Sequence, residues 1–310
     1  CIRDSHDTAR FDQTDLQLKL KLKKQTLIIP SSKTFTLKKD QSVILPFNLS
    51  MEGALLKYST TQLLAKVEEK NAVHYFFFAP EGLRTEYSFD KSTLSSGKEF
   101  YTPKPGLKST FSITVKNGKT LKITTLTRQQ ALNTTKVNNH ILITEATVLP
   151  EKEQCTLLSL GKTQISYALY TANKGWKEET IEVQPVDVKA DWKKVGTRRM
   201  TVKIDQPDVP QVNDYFLRVN YVADVAMAFI GGYLVLDHYY YGIPWTIGLR
   251  RFKNELKNEY LSFYFRPLRK DAPFIGDLPV EAIPDFSQKD ADCLVRSVDV
   301  IPEYKAIVNI

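Results

Sequence analysis

A chain of 310 residues is long enough for about two domains, and with 42% hydrophobic and 25% charged residues it has the composition of a folded globular protein. Disorder throughout is excluded, because disordered chains carry far fewer apolar side chains. The 43 Lys and Arg against 35 Asp and Glu leave a net charge of +8 that is spread through the chain rather than gathered in a polybasic tail.

Cys1 reads either as the place where a longer chain was cut or as the lipid-bearing residue of a processed bacterial lipoprotein, and the cut is the preferred reading. With Cys155 and Cys293 it closes at most one bridge, and none of the three has the close spacing of a zinc or redox pair. From Leu16 to Leu22 leucines alternate with Gln and Lys, which predicts a half-buried strand with one wet face. Tyr75 to Phe78 is a short apolar run and predicts a fully buried strand. Phe111, Ile113 and Val115 lead into Asn117-Gly118, and Leu121 and Ile123 follow, which is the pattern of a hairpin closed by residues that accept positive φ. The one helix signal is Thr127 to Asn133, with Thr127 and Gln130 at capping-box spacing.

The polar segment Asn133 to His140 has no apolar period, so the domain boundary is placed there, giving domains 1–137 and 138–310. A weaker break falls at Pro207 to Pro210. Val225, Met227 and Phe229 alternate up to Gly231-Gly232 and continue as Leu234 and Leu236, a second hairpin. This apolar stretch, 222–236, is broken by Asp224 and the two glycines, short of the ~20 residues of a membrane-crossing helix. Strands are also predicted at 261–265, 294–300 and 305–310, so the chain reads as all-β.

Chemistry is sparsely signalled. None of His6, His74, His140 and His238 sits in a nucleophile or metal motif, and His74, between Val73 and Tyr75, reads as a structural histidine. Glu81 and Asp224 stand among apolar residues and read as turn-capping or backbone-bonded carboxylates. Tyr239, Tyr240, Tyr241 and Trp245 form an aromatic cluster that reads first as core, although aromatic faces also stack on sugar rings. Arg250, Arg251 and Lys253 follow it without any nucleic-acid-binding signature. No cofactor motif occurs.

Pro46-Phe47-Asn48-Leu49, Leu56 through Gln62, Tyr75-Phe76-Phe77-Phe78-Ala79-Pro80-Glu81-Gly82 and Leu126 through Ala131 resemble the region downstream of the catalytic barrel in bacterial family 35 glycoside hydrolases, the β-galactosidases. Tyr221 through Ala226 and Pro244 through Phe252 resemble the carboxyl-terminal jelly roll of that family, a galactose-binding-like β-sandwich. The resemblance implies two β-sandwich domains, the second a jelly roll. It carries no catalytic residue over, because the family's catalytic glutamates lie on a (β/α)₈ barrel of about 250 residues and no segment here alternates strand and helix at that length. The expected role is therefore an ancillary, non-catalytic part of a β-galactosidase, working with a barrel in cis or in trans, and the chain reads as a fragment or a degenerate relative. The alternatives are an independent module binding a β-galactoside or a plant or host glycan, with Trp176, Trp192, Tyr240 and Trp245 as sugar-contact candidates, and a plain interaction domain. Trp245 is nonetheless expected to be buried against the second hairpin. The same resemblance makes the expected location secreted, periplasmic or outer-membrane-associated, and a homo-oligomer is an expected state.

Overall fold

The computed structural model describes residues 11–23 and 26–310, and Cys1 and His6 lie outside them. Among the described residues the elements are strands, a few single-turn 3-10 segments and one α-helix, Arg128–Leu132. The helix is capped as its sequence predicts: Thr127 accepts from the Gln130 amide while the Gln130 side chain accepts from the Thr127 amide. Two compact units divide the chain. The first runs to Glu145 and adds Ser166–Glu179 and Ile310, and the second holds Ala146–Ile165 and Thr180–Asn309.

At the centre of the first unit is a five-stranded sheet in the order Leu94–Ser96, Thr110–Val115, Thr120–Leu126, Ala72–Phe78, Gln62–Glu68. Ala72–Phe78 and Thr120–Leu126 pair in parallel, residue 72 facing 120 through to 78 facing 126. Parallel strands are usually covered on both faces, and here the covering is complete enough that six consecutive residues from Ala72 are buried. Val73, Tyr75 and Phe77 pack on one side against Met51, Leu56, Tyr87 and Phe89, which come from the four-stranded sheet Phe100–Tyr101, Tyr87–Phe89, Ala54–Ser59, Phe47–Met51. His74 and Phe76 face the other way, where Ile141, Ile143, Ala168 and Tyr170 close over Phe76. Burying a large side chain of this kind contributes about 1.5–3 kcal/mol. The first unit thus has three sheet layers rather than the two of a simple sandwich.

Several local readings change in detail. The leucine run divides into Gln13–Leu16 and Leu18–Lys21, which join different two-stranded ladders, so Leu18 is exposed while Leu20 and Leu22 pack on Leu27, Ile29 and Tyr58. The Asn117-Gly118 hairpin forms, but only Gly118 has positive φ, +85°. Bonds from Gly118 N to Val115 O and from Val115 N to Lys119 O make it a three-residue loop with the glycine in the left-handed position. The polar segment after the helix, where the sequence places the domain boundary, is itself β structure: Thr134–Val137 pairs with His140–Thr144, whose Ile141, Leu142 and Ile143 are buried.

The second unit is a sandwich of two five-stranded sheets. One has the order Thr147–Pro150, Gln154–Leu160, Leu294–Asn309, Val212–Val222, Trp245–Gly248, and the other Ala190–Gly196, Arg199–Ile204, Leu261–Arg266, Val225–Ile230, Tyr233–Tyr239. Leu217, Val219, Tyr221 and Ile247 from the first meet Val202, Ala226, Ala228 and Phe263 from the second in one core. The predicted strands 294–300 and 305–310 are one 16-residue strand, and Gly231 (φ +56°) and Gly232 (φ +87°) close the second hairpin with both turn residues left-handed.

Candidate functional site

The four aromatic residues expected to face a sugar are not brought together. Trp176 belongs to the first unit, half-buried with its edge against Phe76 and Tyr170 at centroid distances of 5.9 and 5.3 Å. Its Nε1–H is buried without a protein acceptor. Trp192, Tyr240 and Trp245 belong to the second unit. Trp192 lies opposite Val202 and turns inward against the sandwich core. Tyr240 is 4% exposed and donates its hydroxyl proton to the Ala282 carbonyl at 2.8 Å. Trp245 is 6% exposed, stacked on His238 at 5.3 Å and 9° and met edge-on by Phe263 at 5.8 Å. A ring can stack on a sugar only through a face that reaches solvent, and at this exposure Tyr240 and Trp245 pack as core residues. The exposed members of their cluster are Tyr239 and Tyr241.

The buried titratable side chains are engaged internally. His74 is 2% exposed, with Nδ1 2.7 Å from the Tyr170 hydroxyl and Nε2 2.7 Å from Thr124 Oγ1. Tyr170 donates to Glu69, and Lys122 Nζ reaches the other Glu69 oxygen at 2.6 Å. Burial pushes the Glu69 carboxyl up, but its bonds from Lys122 and Tyr170 outweigh burial and hold it below the usual value. Burial pulls the His74 imidazole down to about 4 despite the carboxylate beside it. Glu86, 4% exposed, accepts from Ser31 N, Ser31 Oγ, Ser32 Oγ and Tyr58 Oη at 2.5–3.0 Å, and these bonds too outweigh its burial. Asp224 pairs with Arg266 at 2.6 Å, as a structural carboxylate should, whereas Glu81 is exposed. Asp214 accepts from the amides of Tyr215, Leu249 and Arg250.

A retaining glycosidase needs two free carboxyls facing each other at about 5 Å, one able to give a proton at neutral pH. Two described clefts offer no such pair, and in a third, of about 460 Å³ in the first unit, Asp40, 4.0 Å from Lys39, and Glu81 line the wall with both side chains exposed to solvent. Glu86 is the sole acid lining the cleft of about 620 Å³ in the first unit, and it is saturated. Asp208 and Asp214 share a cleft of about 200 Å³ in the second unit, where Asp208 pairs with Lys253 and Asp214 caps backbone amides. Among the described residues no group of His, Cys, Asp and Glu could hold a metal ion. Sequence reading missed Glu69, Tyr170, Thr124 and Glu86. Of these only Glu86, set among Tyr87, Phe89 and Leu83, carries the cue that drew attention to Glu81 and Asp224, an acid inside an apolar stretch.

Residues 2–148 match the family model described as Beta-galactosidase, domain 2. No curated protein matches the chain. The matched segment, a β-galactosidase-associated domain, includes the motifs from Pro46 to Ala131, and the described residues hold no catalytic barrel.

Proposed function

We propose that this chain is the ancillary, non-catalytic β-sandwich region of a β-galactosidase-like glycoside hydrolase, supporting a (β/α)₈ catalytic domain supplied in cis or in trans. The observation that carries the reading is the domain 2 match over 2–148, in a chain whose buried carboxyls Glu69 and Glu86 are held by hydrogen bonds and an ion pair. The second unit supports it through strand order. Counting its strands from Gln154–Leu160 and leaving out Ala190–Gly196 and the short ladder at Leu268–Arg269, the sheets read 1-8-3-6 and 2-7-4-5. That is two interlocked Greek keys, the order of a jelly roll, in keeping with a galactose-binding-like domain.

One observation favours a second reading, an independent glycan-binding module. Register places Tyr264 beside Met227, and Ser262 beside Phe229 and Leu234, all on the outer face of the 190–266 sheet. The other sheet shows Arg218, Asp299 and Thr246 outward, the polar face expected of a solvated sheet.

Assay of the purified chain with a nitrophenyl β-galactoside tests the first reading. No turnover is expected, and turnover that is lost on replacing a carboxylate of this chain overturns it. Calorimetry with galactose and β-galactan decides between the readings, since binding abolished by Tyr264→Ala would establish the module.

A further inference from the structure

Two clefts of the first unit adjoin along Thr102 and Pro103, which line both. The larger, about 620 Å³, is edged by Lys33, Arg84 and Lys104 and walled by Pro30, Leu83 and Pro105. The smaller, about 360 Å³, adds Lys98, Lys108 and the half-exposed ring of Phe100. All five basic side chains are exposed, and none of their charged groups meets an acid or a hydrogen-bond acceptor among the described residues. Other lysines of the same unit do: Lys38 pairs with Asp12, Lys57 with Glu99, Lys119 with Glu52 and Lys122 with Glu69. Glu86, the one acid in the lining, already accepts from Ser31, Ser32 and Tyr58, and these bonds hold its carboxyl below the usual value despite its burial.

We propose that this double cleft binds an acidic glycan, one carrying uronate or sulfate groups. Uncompensated like charges crowded around a concavity repel one another, and a polyanion relieves that repulsion. The Arg84 guanidinium matches a carboxylate or sulfate with two parallel bonds, and the lysines supply point charges for further groups along the chain. Pro30, Leu83, Pro103 and Pro105 give the C–H face of a pyranose ring an apolar wall, and Ser32 and Thr102 lie beside it for hydroxyl contacts. Single-stranded nucleic acid fits less well, because it needs a succession of exposed stacking rings and Phe100 is the one exposed ring in the lining. The choice of a glycan over other polyanions rests on the glycoside-hydrolase reading above.

The experiment titrates the full chain with oligogalacturonate, a sulfated galactan, uncharged β-galactan and an oligothymidylate of matched charge, at low salt and at about 0.5 M NaCl. One or both acidic glycans should bind more tightly than uncharged galactan and than oligothymidylate, and should weaken with salt; which one binds identifies the anionic group. The combined variant Lys33→Gln, Arg84→Gln, Lys104→Gln should weaken binding by roughly tenfold or more, and adding Lys98→Gln and Lys108→Gln should weaken it further. The control Lys193→Gln, Lys194→Gln, Lys203→Gln removes equal charge from exposed positions of the second unit and should change affinity by less than about twofold. Equal binding of charged and uncharged galactan, equal or tighter binding of oligothymidylate, or equal losses in the two triple variants overturns the proposal. All eight positions are exposed, so unchanged melting curves verify folding. Galactoside turnover by the chain would sink the ancillary reading and leave these affinities as they are.

Discussion

His74 and Tyr170 stand 96 residues apart in sequence and share a 2.7 Å hydrogen bond between Nδ1 and the phenolic oxygen. The rest of the chain of bonds fixes its direction. Tyr170 gives its one proton to Glu69, so His74 Nδ1 must carry the proton donated to Tyr170, and Nε2 of the neutral ring accepts from Thr124. The relay joins the central sheet of the first unit to the layer that covers it, and it requires a neutral imidazole between an ionised Glu69 and a hydroxyl.

That requirement sets a pH dependence. The folded-state pKa of His74, about 4, lies below the ordinary histidine value of 6.5, so the folded form binds its proton less readily than the unfolded chain. The resulting stability is fully present above about pH 6.5 and is lost as pH falls through 4, on the order of 3 kcal/mol in all. Glu69, also held low, adds a loss at still lower pH. Melting temperature measured from pH 7.5 to pH 4 should fall, and His74→Gln should start lower at neutral pH and show a shallower decline. An equally steep decline in the variant would remove His74 as the cause.

Glu86 anchors residues 31 and 32 to the 54–59 strand through Tyr58. Glu86→Ala leaves buried donors without an acceptor, and each such loss costs about 1–3 kcal/mol. A drop of roughly 3 kcal/mol in urea unfolding is expected, with faster amide exchange at Ser31, whose N–H bonds Oε1 at 2.7 Å. Unchanged exchange there would show that the segment is held by something else.

How much of this was legible in the sequence depends on range. The Gly231-Gly232 turn and the Thr127–Gln130 capping box are contained within a few residues, so residue type and spacing suffice to read them. The parallel pairing of 72–78 with 120–126 is not, because nothing in either strand names its neighbour. The same holds for the 166–179 hairpin arm, which brings Tyr170 and Trp176 into the first unit. The polar look of Asn133 to His140 suggested a junction, yet Val137 and His140 face each other across a tight turn in which Asn138 has φ +51°. Asn and Lys mark a turn and a wet strand face as readily as they mark a linker. Trp192, Tyr240 and Trp245 were ambiguous for a related reason: an aromatic in a strand reads alike whether its register turns it inward or outward.

Gly82 provides a backbone test. It sits at φ +78°, its carbonyl accepts from Thr36 N at 3.1 Å, and a Cβ there would lie 2.3 Å from the Thr36 carbonyl oxygen. Gly82→Ala combines a left-handed alanine with a clash against backbone, so a loss of roughly 2 kcal/mol or more is expected. Gly118→Ala has the same sign of φ, +85°, but nothing within 4 Å, and should lose about 1 kcal/mol. If the two variants unfold at the same urea concentration, the close approach of Thr36 is not what defines the turn.

Trp245 tests the core assignment of the second unit. Its indole lies between His238, parallel at 5.3 Å, and the edge of Phe263 at 5.8 Å, in the core where Tyr221 and Phe265 also meet. The strand that carries it, Trp245–Gly248, pairs with Val212–Val222 at the margin of its sheet, and Trp245 and Ile247 are the side chains that fix it to the facing sheet. Trp245→Ala should therefore cost on the order of 3–5 kcal/mol, well beyond the loss expected for Trp192→Ala, which also lies on an edge strand but whose ring is only partly buried. Urea unfolding of both variants, followed by far-UV circular dichroism, measures the difference. If Trp245→Ala proves no more costly than Trp192→Ala, and the fluorescence it removes is that of a solvent-exposed indole, Trp245 returns as a sugar-stacking residue and the core described for this unit is wrong at that corner.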